Sequence, residues 1–262
     1  MADREKRTKG HYSAPALEKG FEIFELLAQH PDGLTISEIA VRLNRSINEL
    51  FRLIIVMDRC GYLHRNSGTD RYTVSYKVLD IAYRATPVQN LTLVASPIMH
   101  DLAHQARQSC HLVVVGEGFG LVVARVENPG PTGFGVRLGA HIDLTASCSG
   151  NVLLAFTPPE RLDSVLPRAT AQPPVDEAVL SVIRRDGFMR RPSPMTYGVI
   201  DISHPIFGFD GRIAAALTIP FLERIDGSHP VPIDTAQRLA AEAAVRISTG
   251  LGWHGRTQQA EA

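Results

Sequence analysis

The chain has 262 residues, which is enough for two domains of ordinary size, each with its own hydrophobic core. Its 27 basic residues are balanced by 27 acidic ones, which excludes a protein that coats nucleic acid by charge alone. No apolar run is long enough to span a membrane and the N-terminus lacks a signal-peptide core, so we expect a cytoplasmic protein with no membrane partner. Three widely spaced cysteines provide neither a disulfide framework nor a paired zinc motif.

The N-terminal segment is locally basic, and we expect residues 1–12 to form a flexible arm that could touch DNA phosphates or the minor groove. Apolar residues then recur at helical spacing and predict an amphipathic helix over about residues 15–29. The residues expected on its buried face are Leu17, Phe21, Phe24 and Ala28.

Two capping boxes mark the starts of two further helices. Thr35 with Glu38, and Ser46 with Glu49, fit the Ser/Thr-x-x-Glu pattern, in which side chains satisfy the free amides of a first helical turn. The first helix is short, and the second is predicted to run to about residue 60, where Gly61 ends it. Its expected buried residues are Ile47, Leu50, Phe51, Ile54 and Met57.

A hairpin is predicted directly after these helices. Residues 62–65 and 71–74 alternate like strands around the turn-rich segment 66–70. Helices followed by such a hairpin form a winged helix-turn-helix, which we predict over residues 13–74. In this arrangement the second helix enters the major groove and flanking elements touch phosphate. Double-stranded DNA is therefore the first partner to consider.

The outward residues at the start of the second helix are the candidate base contacts, because Asn and Arg form bidentate contacts with bases. Arg65 and Arg71 flank the wing hairpin and are candidates for phosphate contacts. One alternative is that these residues are ordinary solvated or capping side chains, and another is that the winged domain docks a protein. The candidate base contacts are Arg45, Ser46, Asn48, Glu49 and Arg52.

After the wing, residues 75–109 predict two helices, which we interpret as a linker and a dimer-contact element. Beyond residue 110, β-branched runs alternate with helical segments, so we predict an α+β fold with a sheet domain over 110–250 and a flexible tail over 251–262. The expected strands are 111–116, 120–126, 136–144, 199–206 and 212–220. The expected helices are 146–156, 158–166, 175–186 and 234–250.

Several segments resemble one family when their order and spacing are taken together. They include Gly33-Leu-Thr-Ile-Ser-Glu-Ile-Ala, Gly61-Tyr-Leu, Leu144-Thr-Ala-Ser-Cys-Ser-Gly, Leu153-Leu-Ala-Phe and Asp210-Gly-Arg. Over about residues 13–250 the chain resembles the IclR family of bacterial transcriptional regulators. The resemblance implies a GAF-like α/β ligand-binding domain with a central antiparallel sheet, and a homodimer or a tetramer.

Two departures from the family pattern affect the expected contacts. The helix start at residues 45–51 differs from the common Lys-Ser-Thr-x-x-Arg form, so base preference does not transfer. Asn151 stands where a Lys usually follows the Gly, and Arg190-Arg191-Pro192 replaces an acidic run. The second departure puts the usual class of ligand in question.

The candidate ligand site lies at residues 146–150, where a strand gives way to a helix. A helix N-terminus favours an anion because its first amides are unpaired, so a small carboxylate would fit. By family position Asp201 and Thr218 lie opposite, with Ser203 and His204 close by in sequence, and their hydroxyls and carboxylate would orient polar groups on the ligand. Arg191 would add a counter-charge if its loop folds inward. The alternative is that these residues only cap, pair or pack. The candidate ligand-binding residues are Cys148, Ser149, Gly150, Arg191, Asp201 and Thr218.

These features predict a transcriptional regulator that senses a small organic acid and controls a catabolic operon, with no cofactor and no enzymatic activity. A different hypothesis is a catabolic enzyme in which Cys148, at a helix start, is an activated thiolate. A metal site is a further alternative, since four side chains in this domain are of types that bind metals, although their spacing matches no local motif. Its residues would be His111, Cys148, Asp201 and His204.

Overall fold

The computed structural model describes residues 13–85, 88–116, 118–166, 175–225 and 230–255. They divide into two compact units, with the boundary between residues 86 and 87. Within these described ranges, no helix is long and apolar enough to cross a membrane. The predicted arm at residues 1–12 lies outside the described residues.

The N-terminal unit has the predicted helices and hairpin in the predicted order, which confirms the winged helix-turn-helix. Strands β1 and β2 pair antiparallel, with Leu63 opposite Val74, and Leu34 forms an isolated bridge to Tyr72. Gly61 adopts φ +77°, a left-handed conformation that ends the helix before it. The elements are α1 (Pro15–Ala28), α2 (Ile36–Arg42), α3 (Ile47–Arg59), β1 (Leu63–Arg65), β2 (Tyr72–Val74) and α4 (Tyr76–Ala85).

The buried faces of α1 and α3 differ in part from the prediction. Leu17 and Phe21 of α1 are 58% and 55% exposed, and Ile47 and Phe51 of α3 are 48% and 50% exposed. Both helices carry apolar residues on more than one face, so helical spacing alone does not identify the face that packs inward. The residues that form the core of this unit are Ile23, Leu27, Leu34, Ile39, Ala40, Leu50, Ile54, Leu63 and Tyr72.

The C-terminal unit confirms the α+β prediction. Its described strands form an antiparallel sheet in the order β5-β4-β3-β8-β7-β6. The strands are β3 (Cys110–Val115), β4 (Gly120–Val126), β5 (His141–Ile142), β6 (Met189–Pro192), β7 (Val199–Phe207) and β8 (Ile213–Leu222). The helices are α5 (Val88–Ala106), α6 (Cys148–Phe156), α7 (Pro159–Val165), α8 (Glu177–Asp186) and α9 (Ile233–Gly250).

Helices cover both faces of this sheet, and each face has its own apolar cluster. On one face, Leu112 and Leu217 pack in a cluster with residues of α5 and α9, such as Met99 and Ala240. On the other face, Val113 and neighbouring residues pack with α6 and α8. Because side chains alternate along a strand, consecutive residues of β7 point to opposite faces.

Four segments of the C-terminal unit differ from the prediction. Over 136–144 only His141–Ile142 pairs as a strand, because Gly139 adopts φ +77° and interrupts the extended chain. Strand β6 was not predicted, since Met-Arg-Arg-Pro has no apolar alternation and pairs only through β7. The two predicted linker helices fall into different units, and Trp253 of the predicted flexible tail stacks on Phe207 at 5.2 Å between ring centroids.

Candidate functional site

Helix α3 presents two of the predicted base contacts without obstruction. Asn48 and Arg52 are four residues apart, one helical turn, and both are exposed. The adjacent Ile47 and Phe51 are the half-exposed residues that helical spacing had assigned to the core. Exposed apolar groups on a recognition helix can contact thymine methyls, so these two residues extend the candidate surface.

Arg45 and Glu49, by contrast, are held in ion pairs with α1. Arg45 donates to both carboxylate oxygens of Glu22 at 3.1 and 3.2 Å, and Lys19 lies 2.6 Å from Glu49. Hydrogen bonding from Lys19 is the main cause that lowers the pKa of Glu49. These two ion pairs therefore hold the start of α3 against α1.

Helix caps account for other polar residues of this unit. Ser46 accepts a hydrogen bond from the Glu49 amide at 3.3 Å, which is half of the predicted capping box, because the Glu49 carboxylate pairs with Lys19 instead. Thr35 and Glu38 form the complete box. The hydrogen bond from the Thr35 amide is the main cause that lowers the pKa of Glu38.

The two arginines of the wing differ in how firmly other residues hold their guanidinium groups. Arg71 donates to the Gly33 carbonyl at 2.7 Å and pairs with Glu38 at 3.1 Å, so its guanidinium joins the hairpin to the helices. Arg65 pairs with Asp70 across the turn at 2.7 Å and keeps half of its side-chain surface exposed. Arg65 is thus better placed than Arg71 to reach a phosphate.

In the C-terminal unit, the start of α6 is a closely packed turn. Ser147 caps the helix, accepting from the Gly150 amide at 2.9 Å and donating to the Asp143 carbonyl at 2.5 Å. A Cβ on Gly150 would lie 2.4 Å from the Leu144 carbonyl oxygen, so only glycine fits there. The cap uses the Gly150 amide, and the amides of Cys148 and Ser149 remain as the first amides of the helix.

Cys148 lies in a buried site between α6 and the sheet. Its Sγ is 3.4 Å from the Met189 carbonyl oxygen and 3.6 Å from that of Asp201. Burial raises the pKa of the Cys148 thiol to about 12, so the group is protonated at neutral pH. This protonation argues against the thiolate nucleophile that the enzyme hypothesis requires.

A polar row crosses the sheet on the same face. In register, Ser203 lies opposite Thr218, and Thr218 lies opposite His111. The hydroxyls of Ser203 and Thr218 are 2.5 Å apart, and both residues are buried. His111 Nδ1 is buried without a hydrogen-bond partner, and burial lowers the pKa of His111 to about 4. The ring is therefore neutral at pH 7.

Arg191 and Asp201 extend this face toward the sheet edge, where they pair in register. Arg191 donates to the Ala146 carbonyl, which joins β6 to the segment before α6, and its Nε is buried without a partner. Burial raises the pKa of Asp201, while a hydrogen bond from Ser193 and the charge of Arg191 oppose the rise. The structure thus places the predicted ligand residues on one side of the sheet.

The four proposed metal ligands are not brought together. His204 follows Ser203 in β7 and lines a cavity beside α9, on the face opposite the polar row. Among the described residues, no three His, Cys, Asp or Glu side chains are close enough to hold a metal ion.

Asn151 was not predicted as a site residue, and Ser203 was placed near the ligand only because it is close to Asp201 in sequence. The Asn151 amide donates to the carbonyls of Thr145 and Ser147 at 2.8 and 2.7 Å, so it holds the turn before α6. Ser203 joins the row through strand pairing, and its sequence position two residues after Asp201 could have placed it on the same face.

Comparison with known proteins addresses both units. The model of the IclR helix-turn-helix domain matches residues 16–67, and that of the bacterial transcriptional regulator IclR C-terminal domain matches residues 83–249. The regulator KdgR of Escherichia coli is 24% identical over 259 residues, 92% of this chain and 94% of that protein. The glycerol operon regulatory protein of Streptomyces coelicolor is 24% identical over 198 residues, 73% of this chain and 78% of that protein.

Solved structures show the same fold. An IclR homolog from Microbacterium hydrocarbonoxydans, complexed with 4-hydroxybenzoate, matches with a TM-score of 0.73 and 23% identity, over 90% of this chain and 98% of that chain. The Thermotoga maritima IclR matches with a TM-score of 0.67 and 23% identity, over the same shares of the two chains. This chain therefore belongs to the IclR family of DNA-binding transcriptional regulators with an effector-binding C-terminal domain.

Proposed function

We propose that this regulator binds operator DNA through Asn48 and Arg52, and that a small carboxylate bound beside α6 controls its affinity for that DNA. Both side chains are exposed one turn apart on α3, so they can reach base edges without breaking an ion pair. Arg65 is the proposed phosphate contact of the wing. Arg45, Ser46, Glu49 and Arg71 act mainly by holding the domain together.

The observation that carries the effector proposal is the unpartnered Nε of Arg191. A buried guanidinium N–H without an acceptor costs free energy, and a carboxylate would supply that acceptor. The first amides of α6 lie on the same face and favour the same charge. The Thr218 hydroxyl offers a hydrogen bond to a polar group on the ligand, and Asp201, whose charge is partly offset by Arg191, can accept one from a ligand hydroxyl.

The ligand class follows from this set of groups and from one relative. The homolog from Microbacterium hydrocarbonoxydans is complexed with 4-hydroxybenzoate, an aromatic carboxylate with a hydroxyl. The glycerol operon regulatory protein is a relative that controls an operon. We therefore assign to this chain a small hydroxylated or aromatic acid as effector, and a catabolic operon as target.

Two copies of the chain are part of this proposal. A single small domain makes few phosphate contacts, and operators read by a helix-turn-helix usually carry two half-sites. Helix α5 presents the exposed Leu93, which makes this helix a candidate contact between protomers. The expected assembly is a homodimer, or a tetramer formed from two dimers.

Calorimetric titration with 4-hydroxybenzoate tests the effector site. Arg191→Gln keeps a polar side chain but removes the charge, so we expect its affinity to fall at least about tenfold, as for a lost charge-assisted hydrogen bond. Arg190→Gln is the matched control, because Arg190 precedes Arg191 in β6, is exposed and pairs with Asp234 instead. Equal affinity of the two variants would refute the role of Arg191.

A further inference from the structure

A cavity of about 460 Å³ lies beside α9, away from the start of α6. It is bounded by β7, by α9, by the turn after α8 and by the segment after α9 that carries Trp253. All of these elements belong to the C-terminal unit. Its volume is in the range of small-molecule sites.

Two buried polar atoms of the cavity wall lack hydrogen-bond partners among the residues that the structure describes. His204 is 6% exposed and its Nε2 has no hydrogen-bond partner. The side-chain amide oxygen of Gln237 is also buried and has no partner. The ring of His204 also hydrogen-bonds to the Gln237 backbone, which leaves Nε2 as an acceptor when the ring is neutral. Burial lowers the pKa of His204 to about 4, so the neutral form prevails at pH 7. Both free atoms therefore require a donor.

Four aromatic residues also line the cavity. Phe188 stacks on His204 with 5.2 Å between ring centroids, and Phe207 stacks on Trp253 at the same distance. Phe156 packs edge-on against Phe207 at 5.3 Å. Because these rings line the cavity, a planar, apolar body can pack against them.

Charge at the cavity is already neutralised within the protein. Four charged side chains line the cavity, two of each sign, and each is paired with a residue of opposite charge, so the lining carries no net charge that would select an ionic ligand. The pairs are Arg184 with Glu177, Asp186 with Arg185, Asp234 with Arg190 and Arg238 with Glu242.

We propose that this cavity binds an uncharged aromatic molecule with two hydrogen-bond donors, which His204 Nε2 and Gln237 Oε1 accept. A dihydroxybenzene has this chemistry. The site is separate from the proposed carboxylate site, because His204 and Ser203 are neighbours in β7 that face opposite sides of the sheet. A ligand in this cavity contacts strand β7 from the side opposite to the polar row of Ser203, Thr218 and His111.

Titration with resorcinol tests the proposal on the full-length chain. Trp253 is the only tryptophan in the sequence and lines the cavity, so its fluorescence reports occupancy directly, with calorimetry as a second measurement. We expect saturable binding of resorcinol and none of its dimethyl ether, which has the same ring but no donors. His204→Leu and Gln237→Leu should each weaken binding roughly tenfold, the upper range for one hydrogen bond.

Variants of α9 distinguish occupation of the cavity from adsorption elsewhere. Ala241→Phe places a ring in the cavity and should abolish binding, whereas Thr249→Phe adds the same ring at an exposed position of α9 outside the cavity lining and should not. Absence of saturable binding would overturn the proposal. Equal binding of the dimethyl ether, or full binding by Ala241→Phe, would overturn it too, and neither result depends on the folding of the His204 variant.

Discussion

The two units carry their candidate binding residues in different ways. In the N-terminal unit, Asn48 and Arg52 extend from one helix into solvent, and the residues that hold the helix are separate from those that would contact DNA. In the C-terminal unit the candidate residues come from α6, β6, β7 and β8 and are mostly buried. A surface helix can therefore change specificity without loss of fold, whereas the proposed effector site and the core share residues.

The start of α6 should be the least tolerant position in this comparison. Gly150→Ala places a Cβ against the backbone of residues 143 and 144, neither of which is a flexible side chain. We expect a loss of at least about 3 kcal/mol in the free energy of unfolding, as for severe overpacking. Denaturant unfolding followed by circular dichroism measures it.

The matched change in the wing is Gly68→Ala. There a Cβ would meet only the Asn66 side-chain oxygen, at an ordinary 3.5 Å. The free energy of unfolding should stay within about 0.5 kcal/mol of the wild type. If both alanine variants lose the same stability, the two regions do not differ in packing as described.

The same contrast explains what could be predicted from sequence. The helices, wing and caps follow local rules, so Thr35 with Glu38 and the stop at Gly61 were predicted correctly. The buried face of α1 was not, because Leu17 and Phe21 fit helical spacing as well as Ile23 and Leu27 do. Which stripe packs inward depends on partners far away in sequence.

In the C-terminal unit, pairing across the sheet decides the site. Sequence spacing grouped His204 with Asp201, but strand alternation places His204 on the other face, beside α9. The unpartnered Nε of Arg191 depends on a β6 strand that has no local strand pattern. Family position is the basis on which Asp201 and Thr218 were predicted as ligand residues, and no local rule would have indicated them.

Specific DNA binding should respond to the exposed residues of α3 and not to those that hold it. Asn48→Ala or Arg52→Gln should each reduce specific binding by about 1–3 kcal/mol, the value of one bidentate base contact. The ratio of specific to non-specific affinity, measured by gel retardation on an operator selected from random DNA, is the observable. The expected loss is in that ratio, and not in affinity for all DNA alike.

Arg45→Gln, just before the cap of α3, is the control. Arg45 is committed to Glu22, so its replacement should leave the specificity ratio unchanged. A larger loss of specificity in Arg45→Gln than in Arg52→Gln would mean that Arg45 leaves its ion pair when DNA binds. The division between holding and contacting residues would then fail.

Acid should destabilise the C-terminal unit earlier than the N-terminal one. His111 and His204 are buried, and their pKa values are lowered from 6.5 to about 4. Between these two pH values the unfolded chain therefore binds protons that the folded chain does not bind. The free energy of unfolding therefore keeps its full value above pH 6.5 and falls as the pH drops from 6.5 toward 4. Each histidine should cost about 1.4 kcal/mol per pH unit within that window.

The N-terminal unit responds to acid through a different group. The pKa of Glu38 is lowered by the Thr35 cap, so the stability that this carboxylate adds is retained until the pH falls through its lowered value.

Trp253 fluorescence reports unfolding of the C-terminal unit alone, and His111→Gln should reduce its dependence on pH by about half, since one of the two buried histidines remains. His100→Gln, a change at an exposed position of α5, should leave that dependence intact. An unchanged pH dependence in His111→Gln would show that the buried ring is not the group that makes this unit acid-sensitive.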